Sequence, residues 1–170
     1  NFFHVLRRQL AWPFRKPLIN FSPKANLRHP DSYSKVEAFT EGGFKEVYDD
    51  EHANPNEITK VLLCSGKVYF DLDDKRKKDG RNDVAIIRLE QIHPLPQQQL
   101  DALYEKYNKA IWYWVQEEPL NMGAAAFLRM NLQHINFHIV SRKARAAVAS
   151  GYAKVHVQEQ DELIETAFSI

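Results

Sequence analysis

A single cysteine in 170 residues, Cys64, excludes an intramolecular disulfide and a multi-cysteine zinc site. It fits a reducing compartment. Neither sign of charge dominates: 23 Lys and Arg stand against 22 Asp and Glu, for a net charge of +1. General attraction to nucleic acid or to an anionic membrane surface is therefore not expected. No apolar run approaches the ~20 residues that a membrane-spanning helix needs. The opening "NFFHVLRRQL" has neither an initiator methionine nor a signal-peptide core with a cleavage site. It reads like the inside of a helix, and the chain reads as a fragment of something longer. Internal repeats and low-complexity tracts are also missing. What remains is 44% hydrophobic, 26% charged and 12% aromatic, the composition of a soluble globular protein with one well-buried core.

Along the chain, Phe2, Val5 and Leu6 are spaced helically. "PLINFSP" is a short apolar run between prolines and is expected to be a buried strand. "SPKANLRHP" reads as loop, and residues 31–57 as a linker or irregular surface segment. Regularity begins at residue 60. The runs "KVLLCSGK", "DVAIIRLE", "AIWYWVQ" and "NFHIVSR" predict four strands. Between them, Val68 and Leu72, then Leu100, Leu103, Tyr104 and Tyr107, predict helices, with Pro96 near the start of the second. Another helix opens around Gly123–Ala126, and Leu163, Ile164, Ala167 and Phe168 form the apolar face of a terminal one. Strands apolar on both faces and alternating with helices predict a three-layer α/β/α domain on a mostly parallel sheet.

Three groups of residues carry possible chemistry. Glu117 and Glu118 are expected just past the third strand, with Pro119 stopping the ladder, at the carboxyl edge where open α/β sheets bind ligands. A buried Glu can serve as general acid or base. The plainer role is satisfying the amides of the next helix or contacting a neighbouring domain, and no nucleophile or cofactor motif stands beside the pair. No histidine pairs with them at metal-ligand spacing. "CSGK", residues 64–67, sets small residues and a lysine between a strand and a helix, a backbone anion nest that lacks the full P-loop spacing; a tight turn is the alternative. Cys64 there is expected to be a buried, inert thiol. "SRKAR" puts Arg142, Lys143 and Arg145 directly after the fourth strand, on the same edge, where arginine suits phosphate. "DDKRKKDGR", with five cations among three acids, includes Arg76. These cations either meet an anion or solvate the edge and pair with Asp71 or Asp74. The seven histidines are scattered; His29, His93 and His156 fall near turns.

The motifs "FSPKANLRHP", "VLLCSGKVYFDL", "VAIIRLEQIHPLP", "WVQEEPLNMGA" and "GYAKVHVQEQ", in series over nearly all the chain, resemble the C-terminal part of the 2-oxoglutarate dehydrogenase family. Its members are thiamine-diphosphate-dependent decarboxylating components. Two departures stand out: Ala125 follows "NMGA" where the family often has an aromatic, and "SRKARAAVAS" replaces a loop richer in proline and hydroxyls.

The resemblance implies a fold like the transketolase C-terminal domain over residues 60–170. It also implies the end of a thiamine-pyrimidine-type domain over 1–30, with 31–59 as linker. It implies a parent oxidoreductase of the citric acid cycle, a homodimer in a multienzyme complex with dihydrolipoyl succinyltransferase and dihydrolipoyl dehydrogenase. Location would be the bacterial cytoplasm, or the mitochondrial matrix of a eukaryote. Thiamine diphosphate and Mg²⁺ would be held upstream, so no catalytic, cofactor-binding or metal-ligating residue is assigned here. In some members this domain takes a nucleotide-containing effector, AMP or acetyl-CoA. That implication falls on Ser65, Gly66, Lys67, Arg76, Arg142 and Lys143, with Glu117, Glu118, Asn121 and Gly123 as structural or interface positions. Two other readings stay open. One is a self-contained nucleotide-binding module like an electron-transfer flavoprotein. The other is the same domain of a related 2-oxoacid dehydrogenase, such as one for 2-oxoadipate.

Overall fold

The structure is a computed structural model that describes residues 1–169; Ile170, the last residue of the expected C-terminal domain, lies outside the described residues. The chain divides into two compact units, Asn1–Glu46 and Val47–Ile170.

In the first unit, α1 (Phe2–Ala11) is followed by two 3-10 turns, Lys24–Arg28 and Pro30–Ser32, and a single helical turn, α2 (Glu37–Thr40). The apolar spacing of α1 is helical as expected, but the face it defines is not buried. Phe2 and Leu6 are exposed, and the buried residue is His4, whose Nε2 meets the carbonyl of Ala38. Arg7 donates to the carbonyl of Phe39 (3.3 Å), and Arg8 stacks on Phe44 (3.9 Å). Asn1 ties the unit's two ends together, accepting from the Lys45 amide (3.0 Å) and donating to its carbonyl (2.7 Å). The expected strand in "PLINFSP" is not there: residues 15–23 carry no regular structure, and Leu18, Ile19 and Phe21 are exposed. An apolar run bracketed by Pro17 and Pro23 becomes a strand only beside another strand, and this unit offers none.

The second unit is a five-stranded sheet in the order β1-β3-β2-β4-β5. Its strands are β1 (Val47–Tyr48), β2 (Lys60–Cys64), β3 (Val84–Leu89), β4 (Ile111–Pro119) and β5 (Phe137–Arg142). Four are parallel. The short β1, in the stretch expected to be irregular, is antiparallel to β3, with Tyr48 opposite Arg88. Two residues with no alternating pattern give a sequence reader nothing to find. The helices are α3 (Val68–Asp79), α4 (Gln97–Lys106), α5 (Ala125–Asn131) and α6 (Ala153–Ser169).

Alternation along the strands builds two cores. Val61, Leu63, Ala85, Ile87, Trp112 and Trp114 face α4 and α5 through Leu100 and Leu128. Leu62, Cys64, Ile86, Tyr113 and Val115 face α3 and α6 through Leu72, Leu163 and Phe168. Helices on both faces make the three-layer α/β/α arrangement that the sequence predicts. The chain runs from β2 to β3, then back across β2 to β4. A crossover keeps one hand, so α3 and α4 cover opposite faces, and the order reverses between β2 and β4.

Charges are buried at two points that the apolar pattern does not reveal. The end of α6 is held by Lys60, whose ammonium donates to the carbonyls of Ala167 (3.3 Å) and Phe168 (3.2 Å), and by Arg81, which also reaches Phe168 (3.3 Å). Cations there complement the free carbonyls and the dipole of the helix end. Below β3, the buried Asp50 accepts the amide of Ile86 (2.9 Å) and pairs with Arg76, which also donates to Asp73 (2.6 Å). Breaking a buried pair leaves an uncompensated charge, a cost of about 3–5 kcal/mol. Asp50→Ala is therefore expected to lower stability by about 3 kcal/mol because Asp73 still faces Arg76. The exposed Glu118→Ala is expected to change it by under ~0.5 kcal/mol. Urea denaturation of the chain checks both; equal midpoints would contradict the assignment.

Candidate functional site at the carboxyl edge

The reversal between β2 and β4 opens the place where doubly wound sheets take ligands, beyond the carboxyl ends of the two strands. On one side lies the turn Ser65-Gly66-Lys67. Gly66 has φ +75° and open space where a Cβ would be, so glycine is required there by backbone conformation alone. On the other side lies the end of β4.

Glu117 and Glu118 do not fall past that strand. A bulge after Val115 shifts the register, pairing resumes at Pro119 opposite Arg142, and the Leu120 amide donates to the Arg142 carbonyl (2.9 Å). β4 advances four residues there while β5 advances two, and such a bulge bends the strand and re-aims its side chains. Gln116 fills the bend. Its Oε1 accepts from Trp114 Nε1 (2.8 Å) and from the Ala125 amide at the start of α5 (3.0 Å). Its Nε2 donates to the carbonyls of Met122 (2.7 Å) and Pro119 (3.1 Å). The helix-start amide that the two glutamates were expected to satisfy is thus taken by Gln116. Gly123, at φ +67°, lies so close that a Cβ would come within 3.0 Å of the Gln116 amide. Asn121 clamps the loop after β5, accepting from the Arg145 amide (3.1 Å) and donating to its carbonyl (3.0 Å).

Glu117 turns to the α3 face and meets Lys67 at 2.9 Å. Lys67 also donates to Asp71 (2.7 Å). Asp71 accepts from Gln160 of α6 (2.7 Å), and Gln160 in turn accepts from Arg142 of β5 (2.9 Å). Four elements on both sides of the reversal are joined in one polar chain. Burial works against the charged Lys67, but hydrogen bonds to Asp71 and Glu117 outweigh it and raise its pKa.

Lys67 and Arg142 are therefore linked through Asp71 and Gln160, and Ser65 and Gly66 lie in the turn before Lys67. Arg76 is not with them; it is committed to Asp50 and Asp73. Lys143 is exposed, as is Glu118. Sequence reasoning missed Gln160, Glu159 and Gln116. Arg145 grips Glu159 through both oxygens (2.8 and 3.0 Å), and Arg142 approaches it at 3.6 Å. The Nε atoms of Arg142 and Arg145 are buried without a hydrogen-bond partner among the described residues. Lys67, Arg142 and Arg145 are balanced by Asp71, Glu117 and Glu159. Cys64 is fully buried, which pushes its thiol pKa well up, the environment of an inert cysteine. Among the described residues no group of three His, Cys, Asp or Glu side chains could hold a metal ion, and no helix is long and apolar enough to cross a membrane.

Fold and edge together define a doubly wound α/β domain with a cluster of paired charges at the carboxyl edge beside its topological reversal. Residues 33–168 match the model of the family described as 2-oxoglutarate dehydrogenase C-terminal, and the chain belongs to that family. It is 38% identical over 178 residues to the 2-oxoglutarate dehydrogenase E1 component of Azotobacter vinelandii, covering 99% of this chain and 19% of that protein. It is 39% identical over 181 residues to the multifunctional 2-oxoglutarate metabolism enzymes of Mycobacterium sp. strains KMS and MCS, covering 99% of this chain and 14% of each. The chain thus spans a fifth or less of these relatives.

Two outcomes follow from the geometry. Gly123→Ala is expected to cost about 3 kcal/mol, combining left-handed strain with the clash on Gln116, and Gly66→Ala about 1 kcal/mol from strain alone; denaturant midpoints rank them. Hydrogen bonds from Arg145 and then Ser150 hold Glu159 down to about 2, from an ordinary 4.5. Because folding lowers this pKa, the pair stabilises the fold above pH 4.5, and the contribution is lost as pH falls toward 2. The stability gap between the native chain and Glu159→Gln is expected to close over that window in acid unfolding curves.

Proposed function

We propose that this chain is the C-terminal regulatory and dimer-supporting domain of a 2-oxoglutarate dehydrogenase. The parent oxidatively decarboxylates 2-oxoglutarate and passes the succinyl group to the lipoyl arm of dihydrolipoyl succinyltransferase, with dihydrolipoyl dehydrogenase completing the complex. Family membership and likeness to a protein named 2-oxoglutarate dehydrogenase E1 component support this reading. The bacterial relatives support a cytoplasmic location.

The residues here do not fit thiamine diphosphate with its Mg²⁺: the acidic side chains at the crevice are already engaged by Lys67, Arg142 and Arg145. No chemical step is assigned to this chain, and the cofactor belongs to other parts of the parent. What the crevice offers is charge. The observation that carries a regulatory role is the gathering of Lys67 and Arg142, from opposite sides of the topological reversal, into one network. A nucleotide-bearing effector, AMP or acetyl-CoA, would place a phosphate on these cations, whose charge-assisted hydrogen bonds are worth ~1.5–3 kcal/mol each.

In the full-length enzyme, Lys67→Ala with Arg142→Ala is expected to raise the concentration of AMP or acetyl-CoA needed for half-maximal response at least about tenfold, while light scattering still reports a dimer. An unchanged response would remove the regulatory assignment. The 170-residue chain alone, given 2-oxoglutarate, thiamine diphosphate and Mg²⁺, is expected to release no CO₂ above background, and turnover would overturn the placement of the chemistry elsewhere.

A further inference from the structure

The crevice cations are already neutralised from within. Lys67 is shared between Asp71 at 2.7 Å and Glu117 at 2.9 Å. The two carboxylates differ in what holds them. Asp71 is anchored twice, by Lys67 four residues earlier at the N-cap of its helix and by Gln160 of α6. For Glu117, the only ion pair or side-chain hydrogen bond among the described residues is the one to Lys67. It also projects from the irregular end of β4, where the bulge interrupts the ladder. Glu117 is therefore the carboxylate that can leave Lys67 at least cost to the fold.

We propose that Glu117 acts as a built-in competing anion and so sets the charge of ligand that the crevice accepts. An entering anion either displaces Glu117 from Lys67 or binds beside its carboxylate. A monoanion merely replaces one unit charge by another, or is repelled by it. A phosphomonoester is close to a dianion at pH 7.5 because its second pKa is ≈ 6. It brings more charge than it displaces, and its terminal oxygens accept from Lys67, while Arg142 supports the same network through Gln160. The ligand class is thus a terminal phosphomonoester; phosphodiesters and simple carboxylates are excluded. This rests on the effector reading above and adds to it the residue that discriminates.

The test compares binding of methyl phosphate and dimethyl phosphate to the 170-residue chain at pH 7.5, by calorimetry or NMR titration, in the native sequence, Glu117→Gln and Lys67→Ala. Glu117→Gln keeps the shape of the side chain and removes the charge. It is expected to tighten methyl phosphate binding about tenfold and to shrink the preference over dimethyl phosphate. Lys67→Ala is expected to abolish both. Binding seen only in Glu117→Gln supports the proposal equally, since it means the internal anion closes the native site. If the native chain binds methyl phosphate and Glu117→Gln binds it no better, the role of Glu117 is refuted and the effector site stands. If neither binds, the effector site itself is refuted. Glu117→Ser, read by the same titrations alongside circular dichroism, serves if the glutamine variant fails to fold, with the same expectation.

Discussion

The side-chain amide of Gln116 is the contact on which the carboxyl edge depends. β4 lies inside the sheet between β2 and β5, with two tryptophans on one face and Tyr113 and Val115 on the other. A strand buried on both sides cannot end in a free turn, because its last carbonyls and the first amides of the following helix would be left without partners in an apolar surround. Gln116, with an acceptor at one atom and two donors at the other, serves both sets at once. Gly123 leaves room for it. The network is fully satisfied, the condition under which a buried polar group adds definition to a fold.

The position of every charged group at the crevice follows from that bend. Gln116 shares the face of Trp112 and Trp114, so Glu117 falls on the face of α3, where Lys67 begins the helix. The bulge that admits Gln116 also brings Pro119 opposite Arg142. Asn121, in the same turn, then fixes the loop carrying Arg145. One buried amide thus links the register of β4 and β5 to the charge pattern above them. The cations at this edge are balanced by its own carboxylates, Asp71, Glu117 and Glu159.

The four parallel strands and their helices were legible in the sequence because each run is apolar on both faces and is separated by helical spacing. Lys67 and Arg142 were legible as edge residues because Lys67 follows β2 through a short turn and Arg142 ends β5. Arg76 looked equivalent by composition. It is not, because helical periodicity turns it beneath β3 toward Asp50, a residue in a stretch without pattern. β1 was missed for the same lack of pattern. "PLINFSP" had a strand's composition and lacked a partner strand. The two glutamates drew attention as an acidic pair, yet they divide: one is paired with Lys67 and the other is exposed.

By itself the sequence determined the layered α/β class, the parallel sheet and the family, since periodicity and ordered motifs are local properties written residue by residue. Only the tertiary structure decided which cations share a site, which carboxylate caps a lysine and which residue serves the start of α5. Those choices depend on strand order, on the register shift in β4 and on contacts such as Asp71 with Gln160, 89 positions apart. Chain separation carries no trace of them, because the energy of a hydrogen bond depends on distance in space.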